Sequence, residues 1–171
     1  MYTIKLDFEN IKEAPLEELF GALGVYVLWN PSAYVKPTNI GEGFILDRVL
    51  SHHHDDKWLS GNFIGIYART DGSATPLRAK HDSAIAEAFL LTVADILNCF
   101  PPKNQSGGCI NKLYALSKHH GKLKLLIKGY HPFIKPDKRH SRLDDWVELS
   151  VIFNQVDLDD SKWILPPWHS K

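Results

Sequence analysis

GVYVLWNPSAYVKPTNIG, residues 24–41, is the stretch that decides the fold. Gly24 to Trp29 is β-branched, aromatic and apolar throughout, the pattern of a strand covered on both faces. Asn30 to Ala33 carries turn chemistry. Tyr34 to Ile40 is then expected to pair back as a second, shorter strand, with Pro37 marking an edge or an irregular entry.

Outward from this pair, Gly41 to His54 places Phe44, Ile45, Val49 and Leu50 at helical spacing, so Arg48 and His52 share one face of a helix. Asn62 to Ala68 reads as another strand, and Asp71-Gly72-Ser73 as a turn. Leu77 to Phe100 is the strongest helix in the chain, with Asp82 or Ser83 as its cap and Pro101-Pro102 as its stop. The middle therefore runs strand, strand, helix, strand, helix. On the N-terminal side, residues 2–8 alternate, with Ile4, Leu6 and Phe8 on one side. Ala14 to Ala22 reads as a short helix with Pro15 in its first turn. Beyond a loop at Gln105 to Gly108, Leu123 to Ile127 and Trp146 to Phe153 read as strands. The basic connector 131–142 joins them, and the tail 159–171 reads as a wrap-around segment anchored by Trp163 and Trp168. The expectation is a single α+β domain over 1–171.

Composition narrows the function classes. The 44% apolar and 23% charged residues are those of a globular chain. The absence of any run of about 18 apolar residues argues against a membrane partner. The first residues resemble neither a signal nor a transit peptide. Two cysteines without a CxxC pair exclude a disulfide framework and make a reducing cytoplasm the expected compartment. The net charge of zero hides a segregation. Residues 112–142 hold nine Lys and Arg against one acid, Asp137, a net +8 that the rest of the chain balances. Such a block is either a solvated face or a footprint for a polyanion, gripping phosphates through Lys122, Lys124, Lys128, Lys135, Lys138, Arg139 and Arg142.

Glu87 stands out locally. It lies in AIAEAFLLTVA, with Ser83, Ala84, Leu90 and Leu91 as its helical neighbours. A carboxylate on such a surface costs several kcal/mol to desolvate unless something pairs with it, so a metal ligand or catalytic acid is favoured over a structural ion pair. The run His52-His53-His54 followed by Asp55-Asp56 invites a zinc reading. Consecutive residues at a helix end diverge, however, and no second cluster has ligand spacing.

The order Gly24-Val25-Tyr26, Asn39-Ile40-Gly41, Arg48 and His52 on one helix, and Glu87 on a second resembles the GIY-YIG endonuclease family. The match spans residues 22–108 and leaves 109–171 as a C-terminal extension. Gly65-Ile66-Tyr67 also spells the first motif, but it follows Arg48 and is ordinary strand sequence. The resemblance implies a small three-stranded antiparallel sheet flanked by helices, here with extra N- and C-terminal strands. It also implies hydrolysis of DNA phosphodiester bonds, with Glu87 holding Mg²⁺ or Mn²⁺ and Arg48 neutralising the phosphate. Tyr26 is the general base by that resemblance, needing a pKa lowered by Arg48 and the metal. His52 either orients it or takes the base role itself. Gly24 and Gly41 allow close approach, and Asn104 is the asparagine that follows the metal helix. Asn39 stands where the family has its second tyrosine, and Glu42 follows the motif glycine. An amide holds a water or phosphate oxygen but cannot share a phenol's proton. The alternative is therefore a GIY-YIG-like nucleic-acid-binding module with impaired catalysis.

Overall fold

The computed structural model describes residues 1–30, 36–55, 64–72, 75–104, 109–136, 139, 141–152 and 155–158. Its strands are β1 (Tyr2–Asn10), β2 (Leu23–Trp29), β3 (Asn39–Phe44), β4 (Ile64–Arg69), β5 (Leu123–Tyr130), β6 (Arg142–Ile152) and β7 (Gln155–Leu158). Its helices are α1 (Leu16–Leu19), α2 (Ile45–Asp55), α3 (Pro76–Ile96) and α4 (Cys109–His120). The fold is α+β, built on one seven-stranded mixed sheet in the order β3-β2-β4-β1-β5-β6-β7.

The expected three-stranded sheet is corrected by this order. β3, β2 and β4 are indeed mutually antiparallel, but they form one end of a larger sheet. β1 joins β4 only at Glu9↔Tyr67 and Asn10↔Ile66, then runs parallel to β5 from Tyr2↔Leu123 to Phe8↔Gly129. β6 and β7 add antiparallel strands beyond it. The alternation Ile4, Leu6, Phe8 on β1 and Leu123, Leu125, Ile127 on β5 places one apolar face of both strands in the same core as Val25, Val27 and Ile66. That shared burial is what makes the sheet continuous.

β2 is buried at every residue. Val25, Val27 and Trp29 face α3, while Tyr26 and Leu28 pack with Leu19, Ile45, Val49 and Tyr67 on the opposite face. This two-sided covering is why its sequence lacks alternation. α3 is apolar on most of its circumference from Ile85 to Ala94 because it packs on β2, β3 and α4.

Several boundaries move. The second strand lies at Asn39–Phe44, not 34–40, and 34–35 fall outside the described residues. The following helix accordingly starts at Ile45, not Gly41. The helix expected over Ala14–Ala22 is a single turn. α3 begins earlier than expected and is capped by Thr75, whose side chain accepts from the Arg78 amide, with Pro76 in the first turn. Asp82 and Ser83 lie inside the helix. α4 and β7 had no counterpart in the sequence reading. The tail with Trp163 and Trp168, together with Phe153, Asn62 and Phe63, lies outside the described residues. No described helix is long and apolar enough to cross a membrane.

Candidate active site

The motif residues converge at β3, the edge strand of the antiparallel trio. Register places Tyr26 opposite Gly41, Val25 opposite Glu42 and Gly24 opposite Gly43. The Tyr26 ring lies across Gly41 so closely that a Cβ there would overlap the phenol oxygen and Cζ. Gly24 is excluded from bearing a side chain for a different reason, since its Cβ would overlap the Ala68 carbonyl oxygen on β4. The two motif glycines thus serve separate packing needs: one lets β2 and β4 approach, the other opens a path for the phenol. Gly41→Ala is expected to displace the Tyr26 ring and to cost about 1–3 kcal/mol of stability through overpacking. Chemical denaturation reads that loss, and an unchanged midpoint would contradict the packing argument.

On the α2 side, His52 lies four residues after Arg48. Its Nε2 is 2.9 Å from the Tyr26 hydroxyl oxygen, and the two rings meet nearly edge-on. With the phenol protonated, Tyr26 donates and a neutral His52 Nε2 accepts. Burial pushes the Tyr26 phenol up to about 12, and Glu87 and Glu42 add to this, while the Arg48 guanidinium acts in the opposite sense. Burial therefore outweighs Arg48. Arg48 itself is exposed, its side chain beside Gly43.

On the α3 side, Glu87 is half-buried. Burial first, then the Glu42 charge, raises its pKa above the ordinary carboxylate range, with Lys112 and Arg48 opposing. Ser83, one turn earlier on α3, places its Oγ 3.1 Å from Glu42 Oε2 and 2.9 Å from the Lys80 carbonyl oxygen. One hydroxyl proton is shared between those acceptors. Glu42 and Lys112 are the residues whose part in this site the sequence reading missed. In the sequence Glu42 is the acid that follows the motif glycine, and its partner Ser83 is one of two candidate helix caps. Lys112 was counted within the basic block, but its position depends on α4, which went unrecognised.

Asn104 occupies a structural role. Its Nδ2 donates to the Ile40 carbonyl oxygen at 2.7 Å, and its Oδ1 accepts from the Ile40 amide at 2.9 Å. Lys103 N bonds the Thr38 carbonyl oxygen alongside. The side-chain amide thus satisfies the outer edge of β3 as one more strand residue would. Asn39 is 7% exposed. It shares the β3 face of Gly41, and its Oδ1 has no hydrogen-bond partner among the described residues.

The residues fit a hard divalent cation in part. The Glu42 charge that helps raise the Glu87 pKa would be offset by a cation, and Mg²⁺ commonly takes one or two carboxylates with waters and phosphate oxygens. No group of three or more His, Cys, Asp or Glu is gathered for a metal among the described residues. The zinc reading of residues 52–56 falls on side chains 53–56, which lie outside the described residues.

The predicted phosphate-gripping block is divided. Lys122 and Lys124 engage Glu148 at 3.5 and 2.7 Å. Lys128 lies 6.0 Å from the Trp146 ring, and the Arg142 guanidinium 4.8 Å from the Tyr130 ring. Arg139 is exposed, and Lys138 lies outside the described residues. Lys135, also expected among the phosphate contacts, is buried, at 5% exposure. The connector folds inward there, with His131, Phe133, Ile134 and Ser141 also buried. Compared with known proteins, the chain matches no family model, no curated protein and no solved structure.

Proposed function

We propose that this protein is a metal-dependent endonuclease that hydrolyses DNA phosphodiester bonds through a GIY-YIG-like site. The observation that carries the reading is the 2.9 Å contact between the Tyr26 phenol and His52 Nε2, beside the charges of Arg48, Glu42 and Glu87 that act on the same phenol. These groups come from β2, β3, α2 and α3, and a fold has no structural need to gather them at one strand edge.

At a pKa of about 12, only on the order of one phenol in 10⁵ is ionised at neutral pH. Tyr26 therefore works better as a proton conduit than as a resting base. Its oxygen takes a proton from the attacking water while its own proton passes to His52 Nε2, leaving an imidazolium. The water oxygen forms its bond to phosphorus as the bond to the 3′ oxygen breaks, and the departing 3′ oxygen takes up a proton from solvent. Arg48 meets the charge that develops on the phosphoryl oxygens with its fixed fork of donors. Glu87, with Glu42 beside it, would hold Mg²⁺ or Mn²⁺, which supplies charge stabilisation at the leaving oxygen. Lys112 and the exposed members of the basic block contribute attraction for the DNA backbone.

Arg48→Ala tests the arrangement. The variant is expected to bind DNA with little loss while its cleavage rate falls by about 10²–10³-fold. A rate that stays at the wild-type level would remove Arg48 from the site.

The second reading, a nucleic-acid-binding module without catalysis, is favoured by one observation. Where the family pattern has a tyrosine, this chain buries the Asn39 amide, whose Oδ1 has no partner among the described residues. That reading predicts metal-independent DNA binding and no nicking even with Mn²⁺.

A further inference from the structure

The junction between β1 and β4 holds a feature that the candidate active site does not use. The two strands pair only at Glu9↔Tyr67 and Asn10↔Ile66. Toward its start β1 follows β5 instead, and β4 ends at Arg69. The sheet splits there and leaves a cavity of about 370 Å³. Thr3 and Lys5 line one side, Arg69 and Thr70 the other, and Arg78 and Asp82 from the first turns of α3 close it.

The charge balance of this gap is positive. Among the described residues Lys5, Arg69 and Arg78 line it with one acid, Asp82, and the Lys5 ammonium also lies 5.9 Å from the Trp146 ring. Asp82 is already committed, accepting from the Tyr2 hydroxyl and lying 3.9 Å from Arg78 Nε. Asp71 takes Arg69 Nε at 2.9 Å. Each guanidinium carries five N–H donors, so one such contact leaves most of the fork in place. Backbone donors add to this. The Tyr2 amide bonds the Lys122 carbonyl oxygen, toward β5, and strand alternation turns the Thr3 and Lys5 amides the other way, toward the gap.

We propose that this gap is a binding site for a phosphate group, carried either by a nucleic-acid backbone or by a free phosphorylated small molecule. Three cations, the Thr3 hydroxyl and outward-turned amides match the charge and acceptor-rich surface of a phosphate, while the Thr70 hydroxyl donates to the Leu23 and Ala79 carbonyl oxygens. Register favours the nucleic-acid source. Gly24 pairs with Gly43 on one side and Arg69 on the other, so the gap lies two strand spacings, about 10 Å, from the strand position beside Arg48. A backbone crossing the end of β2 would meet both. The site uses none of Tyr26, Arg48, His52 or Glu87, so it stands or fails separately from the nuclease reading.

Amide NMR of the whole chain, titrated in metal-free buffer with inorganic pyrophosphate and with a short DNA duplex, tests this. Saturating shifts are expected at Thr3, Lys5, Thr70 and Gly72, and Lys5→Gln and Arg78→Gln should each weaken the binding by about tenfold. Both side chains are exposed, and the amide spectrum itself reports whether each variant is folded. Duplex shifts at these amides that pyrophosphate displaces identify a backbone phosphate as the source. Saturation by pyrophosphate alone identifies a small phosphorylated ligand. No saturating shift at these amides with either probe, or shifts undiminished in both variants, would overturn the proposal.

Discussion

Glu87→Gln is expected to abolish DNA cleavage and, at the same time, to raise the melting temperature of the metal-free protein at neutral pH. The two effects have one cause. Burial and the Glu42 charge raise the folded-state pKa of Glu87, so its ionised form costs stability. That cost is absent below the unfolded-state pKa and fully present above the raised folded one. Glutamine keeps the shape and removes the charge, so its stability advantage over wild type should shrink as pH falls through the carboxylate range. Mg²⁺ should raise the wild-type melting temperature and leave the variant unmoved. Cleavage should drop by about 10³-fold or more, the factor carried by roughly 4 kcal/mol of lost charge stabilisation. A variant that melts lower than wild type at neutral pH would mean that the carboxylate is structurally paired, and that its position in the site was misread.

The second large effect concerns the proton path. Tyr26→Phe removes one oxygen from the contact with His52, and the ring itself remains packed over Gly41. The stability cost should be about 1 kcal/mol, that of one hydrogen bond. Removal of a positioned acid–base group costs about 10²–10⁴-fold in rate. If the phenol passes its proton to His52, His52→Ala should lose a comparable factor, and the double variant should be little worse than either single one. Losses that multiply would mean that the two side chains act independently, and the conduit would be replaced by two separate roles. Single-turnover cleavage rates for the three variants provide the comparison.

The parts of the site that could be read from sequence were those whose chemistry conflicted with their surroundings. Glu87 among alanines and leucines is visible without any structure. So is the i, i+4 pairing of Arg48 and His52, because it needs only the helical repeat. The glycines were legible as positions of close approach, but the sequence did not say to what. That the Gly41 gap admits the Tyr26 phenol depends on strand register, which no local pattern encodes. Glu42 was undervalued because its significance lies in Ser83 and Glu87, both on a helix some forty residues away.

The fold was legible where one element dictates its own period, as on β1, β5 and α3. It was not legible where long-range pairing decides. The parallel register of β1 with β5 joins strands separated by more than a hundred residues, and it turns an expected three-stranded sheet into one of seven strands. α4 was missed because Lys112, Lys118, His119 and His120 drew attention to charge and away from Ile110, Leu113, Tyr114 and Leu116. Those four residues nonetheless follow helical spacing, and Leu113 is fully buried. Lys135 lies within the charged run yet is buried, because the connector folds inward, and charge patterning alone does not carry that.

The most direct test of the central claim is incubation of supercoiled plasmid with the wild-type protein in Mg²⁺, in Mn²⁺ and in chelator, with plasmid binding followed in parallel. The account predicts conversion to nicked or linear plasmid with either metal and intact plasmid in chelator. Plasmid that is bound yet stays supercoiled with both metals would contradict it, and would make the protein a binding module.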